Sequence, residues 1–271
     1  MLRYLTAGES HGELIMGIVE GIPSGLLIRV TDIDRDLARR QTGYGRGGRM
    51  KIEKDTVKIY TGVRWGRTLG SPLGLVVRNK DWENWRAKMS PDPTFLNTAD
   101  PVTRPRPGHA DLAGALKYGT ADIRNILERS SARETAMRVA VGSVARRLLE
   151  EFGIEVVSHV ISIGGVSARG DKMSHKDIKK RAEASEVRCA DPDAAKKMMR
   201  KIDEAQKAGD SLGGVFEVIV TNAPVGLGSH AHWDRKIDAR LAAALMSIQA
   251  IKGVEVGSGF GVANRPGSLV H

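Results

Sequence analysis

A single cysteine, Cys189, in 271 residues excludes an internal disulfide framework and any multi-cysteine metal site, and the thiol reads as a bystander. Aromatic residues make up only 4% of the chain, which argues against the stacking platforms that single-strand nucleic-acid binders use. No run of about 18 or more apolar residues is present, so nothing reads as membrane-spanning. The first residues, MLRYLTAGESHG, lack a signal-peptide core and an arginine-rich presequence. A Walker loop and a GxGxxG turn after a strand are missing too. The expectation is a cytoplasmic protein with no membrane partner.

What the chain does have is positive charge. Its 42 Lys+Arg against 32 Asp+Glu give a net charge of +10, which points to an anionic partner, either a polynucleotide or a metabolite. The arginines are grouped. The stretch RRQTGYGRGGRM (39–50) sets Arg39, Arg40, Arg46 and Arg49 among glycines. A guanidinium offers a planar fork that matches carboxylate and phosphate oxygens, and glycine lets the backbone turn tightly around a ligand. The stretch reads either as a solvated basic turn or as a cup for a small anion.

Two further stretches favour the cup. TRPRPGHAD (103–111) carries Arg104, Arg106 and His109 in a segment stiffened by Pro105 and Pro107. RNILERSSARE (124–134) places Arg124, Arg129 and Arg133, with the hydroxyls of Ser130 and Ser131, around an expected helix N-terminus, whose free N–H groups attract anions. His11, in AGESHGE, and His109 are imidazoles beside arginine-rich segments, suited to proton transfer near neutral pH. His230 and His232 have HxH spacing but no further ligand cluster, so they read as a surface turn and no metal is expected.

Between these stretches helical and strand patterns alternate irregularly, without repeats or low-complexity linkers. The chain reads as one α+β domain over 1–271, not a regular βαβ series. Strands are expected at 26–30, 56–63, 73–78, 154–163 and in VFEVIVTNAP. A helix is expected over TDIDRDLARRQTG, started by Thr31 or Asp32, with Ile33 and Leu37 on one face. The strongest helix spans 131–153, with a Ser131/Glu134 capping box and Met137, Val141, Val144, Leu148 and Phe152 at helical spacing. A polar helix near 176–183, a helix capped by Asp191 with Pro192 at its first position, and one over DRKIDARLAAALMSIQAIKG complete the pattern.

At GESHGELIMGIVEGIPSG, RRQTGYGRGGRM, TRPRPGHAD and ERSSARETAMRVAVGSV the sequence resembles the chorismate synthase family, and the resemblance runs along the whole chain. It implies a β-α-β sandwich with helices packed between antiparallel sheets, assembled as a homotetramer. It implies a 1,4-anti elimination of phosphate from 5-enolpyruvylshikimate 3-phosphate to give chorismate, which needs reduced FMN but involves no net redox change. His11 and His109 match the family's two active-site histidines. Arg40 and Arg46 match arginines that hold the anionic substrate, positions also described as NADP contacts, and Arg49, Arg106 and Arg133 are further clamps. Ser10, Arg129, Ser130 and Ser131 match FMN contacts, with Gln249 and Ala250 a second FMN stretch. NADPH is expected only as an indirect reductant. A substrate with a phosphate and two carboxylates, lying against a flavin phosphate, accounts for the arginines.

The resemblance also implies a glycine-rich flavin loop, a Lys-Pro segment and an Arg-Ser-Asp motif, and residues 1–271 contain none of them. The chain closes on an apolar Leu269–Val270 pair, and is expected to be truncated at its C-terminus. Two other readings stand beside the enzyme. One is an inactive fragment that still binds substrate or flavin. The other is a basic nucleic-acid binder, which would show steep salt dependence on random duplex.

Overall fold

The computed structural model describes residues 2–47, 53–169 and 173–270, in two compact units, Met1–Asn222 and Ala223–His271. The first unit is built on an antiparallel four-stranded sheet of order β1-β2-β6-β3, formed by β1 (Arg3–Gly8), β2 (Leu14–Glu20), β3 (Val57–Thr61) and β6 (Leu73–Arg78). Alternation selects its inner face: Ile15 and Val19 of β2, and Leu73, Leu75 and Val77 of β6, are at most 1% exposed. A small ribbon of β4 (Val63–Arg64) and β5 (Arg67–Thr68) projects between β3 and β6.

Two helices close this face. The first, α1 (Val30–Gln41), buries Ile33 and Leu37 completely. The helix Glu134–Glu150, called α5 after α2 (Trp82–Trp85), α3 (Asp111–Tyr118) and α4 (Arg124–Ser130), buries Met137, Ala140, Val141 and Val144 against the same core. Each such fully buried aliphatic side chain contributes about 1.5–3 kcal/mol. Helix α5 packs on β1, β2 and β6 and also meets β7 (Glu155–Ile163) of a second antiparallel sheet, of order β8-β7-β9, with β8 at Val166–Ser167 and β9 at Gly214–Thr221. Helices α6 (His175–Ala184) and α7 (Pro192–Ala208) pack against this second sheet. The architecture is α+β, with helices against antiparallel sheets, as expected. The second unit holds one helix, α8 (Ile237–Met246), and short 3-10 turns.

Several local expectations need correction. Residues 26–30 form no strand beyond an isolated bridge from Leu27 to Arg67, and Val30 already opens α1, whose N-cap is Arg29 and not Thr31 or Asp32. The Ser131/Glu134 capping box does not form: the helix starts at Glu134 with Arg133 as its N-cap, and Ser131 Oγ accepts from the Arg133 N–H at 3.3 Å, not from Glu134. Glu134 accepts from Thr6 Oγ1 at 2.8 Å and from Arg138, while the Ser131 hydroxyl donates to Ser10 Oγ at 3.0 Å. Phe152, expected on the buried face of that helix, lies past its end and is 69% exposed. The helix expected over 234–253 is only the ten residues of α8, and its Ile237 and Leu241 are exposed. By contrast β6 and the start of α7 match the reading: Asp191 accepts from the N–H groups of Asp193 and Ala194, with Pro192 first in the helix.

Candidate active site

The start of α5 is where most of the sequence-derived site residues meet. Ser10 and His11 sit in the turn between β1 and β2, and that turn is tied to the end of α4. The Ser10 N–H donates to the Glu128 carbonyl at 3.0 Å, and the His11 N–H donates to Glu128 Oε2 at 2.7 Å. His11 Nδ1 lies 2.9 Å from Glu128 Oε1, and the imidazole stacks on Trp85 at a centroid distance of 4.0 Å. Arg129 reaches back across β1 to the Thr6 carbonyl, Thr6 Oγ1 and the Gly8 carbonyl at 2.8–3.2 Å. Ser130 donates to the Leu127 carbonyl.

The arginines arrive from the other side. The last turn of α1 delivers Arg40, whose guanidinium donates to Thr135 Oγ1, the Ala132 carbonyl and Asp55. Arg133 is 6% exposed. It donates through Nε to Asn79 Oδ1 at 2.8 Å and through Nη1 to Asp55, which lies 2.7 Å away and is also buried. Its remaining nitrogen faces Glu53 at 3.8 Å. Asp55 therefore joins Arg40 and Arg133 into one buried charge cluster.

Arg46 differs from both. It is exposed, and its Nη1 donates to the Arg40 carbonyl at 2.6 Å. Two glycines before it, Gly43 at φ +135° and Gly45 at φ +71°, take backbone conformations that disfavour a Cβ. A Cβ on Gly43 would lie 2.6 Å from Arg46 Nε. Gly45, at φ +71°, packs so tightly on α7 that a Cβ would lie 2.4 Å from Ile202 Cγ2. Between them Tyr44 donates its hydroxyl to Asp203 at 2.8 Å, and that bond raises the phenol's pKa above its ordinary value. The loop is thus anchored on α7 while Arg46 folds back toward α1. Arg49 lies outside the described residues.

His109 and Arg106 sit on the segment leading into α3. Arg106 makes a two-pronged pair with the fully buried Asp111, Nε and Nη2 each 3.0 Å from a carboxylate oxygen, and its N–H adds a third bond at 2.8 Å. These bonds hold the Asp111 carboxyl below, and the Arg106 guanidinium above, their ordinary pKa values. His109 is exposed, with Nδ1 2.9 Å from the Pro107 carbonyl. A carbonyl only accepts, so Nδ1 carries the proton and Nε2 faces outward as the exchanging nitrogen. In the second unit, Gln249 is partly buried and Ala250 adopts φ +68°, a left-handed conformation rare for a residue with a Cβ.

Arg129, Ser10, Ser130 and Ser131 bring one cation and three hydroxyls to the segment before α5, the donor chemistry a phosphate-bearing cofactor takes, and in this structure Arg129, Ser130 and Ser131 donate to protein oxygens. Sequence reasoning missed Glu128, Asp55 and Trp85. Glu128 lies inside the quoted ERSS stretch, but nothing in a sequence says which neighbour a carboxylate faces.

The chorismate synthase family profile matches residues 2–271. Chorismate synthase of Pelobacter propionicus is 63% identical over 271 residues, spanning all of this chain and 69% of that protein. The Geobacter metallireducens chorismate synthase is 61% identical over 271 residues, with the same coverage. A crystal structure of chorismate synthase superposes with a TM-score of 0.83 at 47% identity, covering 100% of this chain and 73% of that one. The chain belongs to the chorismate synthase family.

Proposed function

We propose that the chain converts 5-enolpyruvylshikimate 3-phosphate to chorismate and phosphate by 1,4-anti elimination, a lyase step of aromatic amino-acid biosynthesis. The observation that carries this reading is the gathering of Ser10, His11, Arg40, Arg129, Ser131 and Arg133 around the start of α5 in a member of this family.

Arg40 and Arg46 hold the substrate's anionic groups, with Arg49, Arg106 and Arg133 as further clamps. His109 gives a proton from Nε2 to the departing phosphate. Donors that tighten on the phosphate as its charge builds lower the barrier directly. Family membership implies a reduced flavin. We take it to be FMN, held by Ser10, Arg129, Ser130 and Ser131. When bound, the reduced flavin supplies an electron transiently, without net redox change. His11 exchanges a proton at Nε2, its Nδ1 being held by Glu128, beside the flavin-binding serines. NADPH serves as an indirect reductant, with Arg40 and Arg46 as its contacts. The working form is a cytoplasmic homotetramer, with no nucleic-acid partner.

Product analysis tests the reading. Under anaerobic conditions with chemically reduced FMN, the chain should release chorismate and phosphate in equal amounts from the substrate. Substrate binding without either product would replace the enzyme with a binding module.

A further inference from the structure

His11 is held more firmly than a proton-exchanging imidazole needs for solubility or packing alone. One carboxylate, Glu128, takes both of its N–H groups: the backbone N–H at 2.7 Å on Oε2, and ring Nδ1 at 2.9 Å on Oε1 and 3.1 Å on Oε2. Glu128 is only 5% exposed, so solvent cannot substitute for these contacts. The nearby cations do not compete for the carboxylate. Arg129 is turned to Thr6 and Gly8, and Arg124 donates to the Asp100 carbonyl and sits over the Trp85 ring. Trp85 forms the other wall, stacked on the imidazole with an interplanar angle of 25°, and is itself pinned by its indole N–H to Asp81 at 3.1 Å.

We propose that Glu128 is a positioning residue for the reaction, fixing the tautomer and ring orientation of His11. An ionised carboxylate only accepts, so Nδ1 carries the proton and Nε2 becomes the one nitrogen that gains or loses a proton during turnover. The backbone bond from His11 to the same carboxylate locks the Cα–Cβ direction, and Trp85 blocks the ring flip that would exchange the two nitrogens. Glu128 acts through His11 and, being buried, touches neither substrate nor flavin. The proposal rests on the reading of His11 as a proton-exchanging residue.

Glu128→Gln separates these roles. The amide keeps size and shape but has one acceptor oxygen where the carboxylate has two. One of the two His11 N–H groups then meets an NH2, and the ring can relieve the clash by moving its proton to Nε2. Nitrogen-15 spectra of the full-length protein labelled at histidine should show the Nδ1–H tautomer for His11 in the wild type, with a substantial Nε2–H population in Glu128→Gln. Turnover should fall by about 10²-fold with KM for 5-enolpyruvylshikimate 3-phosphate changed little, as for an acid–base group left in the wrong tautomer. In a His11→Ala background the same substitution should add almost nothing. An Nε2–H tautomer in the wild type, or an equal loss from Glu128→Gln with and without His11, would overturn the positioning role. A His11→Ala variant with full turnover would instead remove His11 from the mechanism, and the positioning role with it.

Discussion

Arg46 and Arg133 carry the same charge and lie in neighbouring motifs, yet their surroundings make opposite predictions. Arg133 is enclosed by Asp55, Asn79 and Glu53. Arg133→Ala would strand the fully buried Asp55 side chain, and breaking such a pair costs about 3–5 kcal/mol, so this variant should lose stability in denaturant titration before any effect on binding can be read. Arg46 is exposed and makes its contact to a backbone carbonyl. Arg46→Ala should leave the denaturation midpoint close to wild type but weaken substrate binding by about 1.5–3 kcal/mol in calorimetry, the range of a charged hydrogen bond. The Asp111 carboxyl has its pKa depressed by Arg106. A depressed carboxylate contributes stability that is present above its unfolded pKa and is lost as pH falls through the folded one. Acid titration of Arg106→Ala should therefore show less of the acid-induced loss of stability than wild type. A parallel pair of curves would detach that salt bridge from the acid limb.

At the scale of elements, sequence reasoning succeeded where one face is apolar and the other is not. In β6, LGLVVR, the buried Leu73, Leu75 and Val77 alternate with partly exposed positions. In α7 a capping residue and a proline mark the start directly. Asp191→Ala should cost about 0.5–2 kcal/mol of stability by removing the acceptor for two N–H groups, measurable by chemical denaturation at neutral pH. Strand β2 went unnoticed because Met16 and Ile18 on its outer face are as apolar as Ile15 and Val19 within, which erases the period-two signal. The Ser131/Glu134 capping box failed for a different reason. Local pattern does not see partners from elsewhere in the chain, and here Glu134 accepts from Thr6 and Arg138 while Ser131 bonds Ser10 and the Arg133 N–H. The site was legible as groups of arginine, serine and histidine. Its wiring was not, because Glu128 and Asp55 reach residues up to 117 and 78 positions away.

At the scale of the molecule, a net charge of +10 is compatible with a nucleic-acid surface as much as with a metabolite site. Arg40, Arg106 and Arg133 are each turned toward a buried carboxylate, Asp55 or Asp111, and do not line a continuous basic face. Arg40 and Arg133 share the buried Asp55 near the start of α5, and the two imidazoles proposed to react each have an acceptor within reach of Nδ1. The central claim is that these two histidines move protons for phosphate elimination. Its most direct test is the anaerobic single-turnover rate of the wild type, His11→Ala and His109→Ala, with 5-enolpyruvylshikimate 3-phosphate and chemically reduced FMN. Wild type should form chorismate, with each variant slower by roughly 10²–10⁴-fold. Variants that match the wild-type rate would contradict the claim.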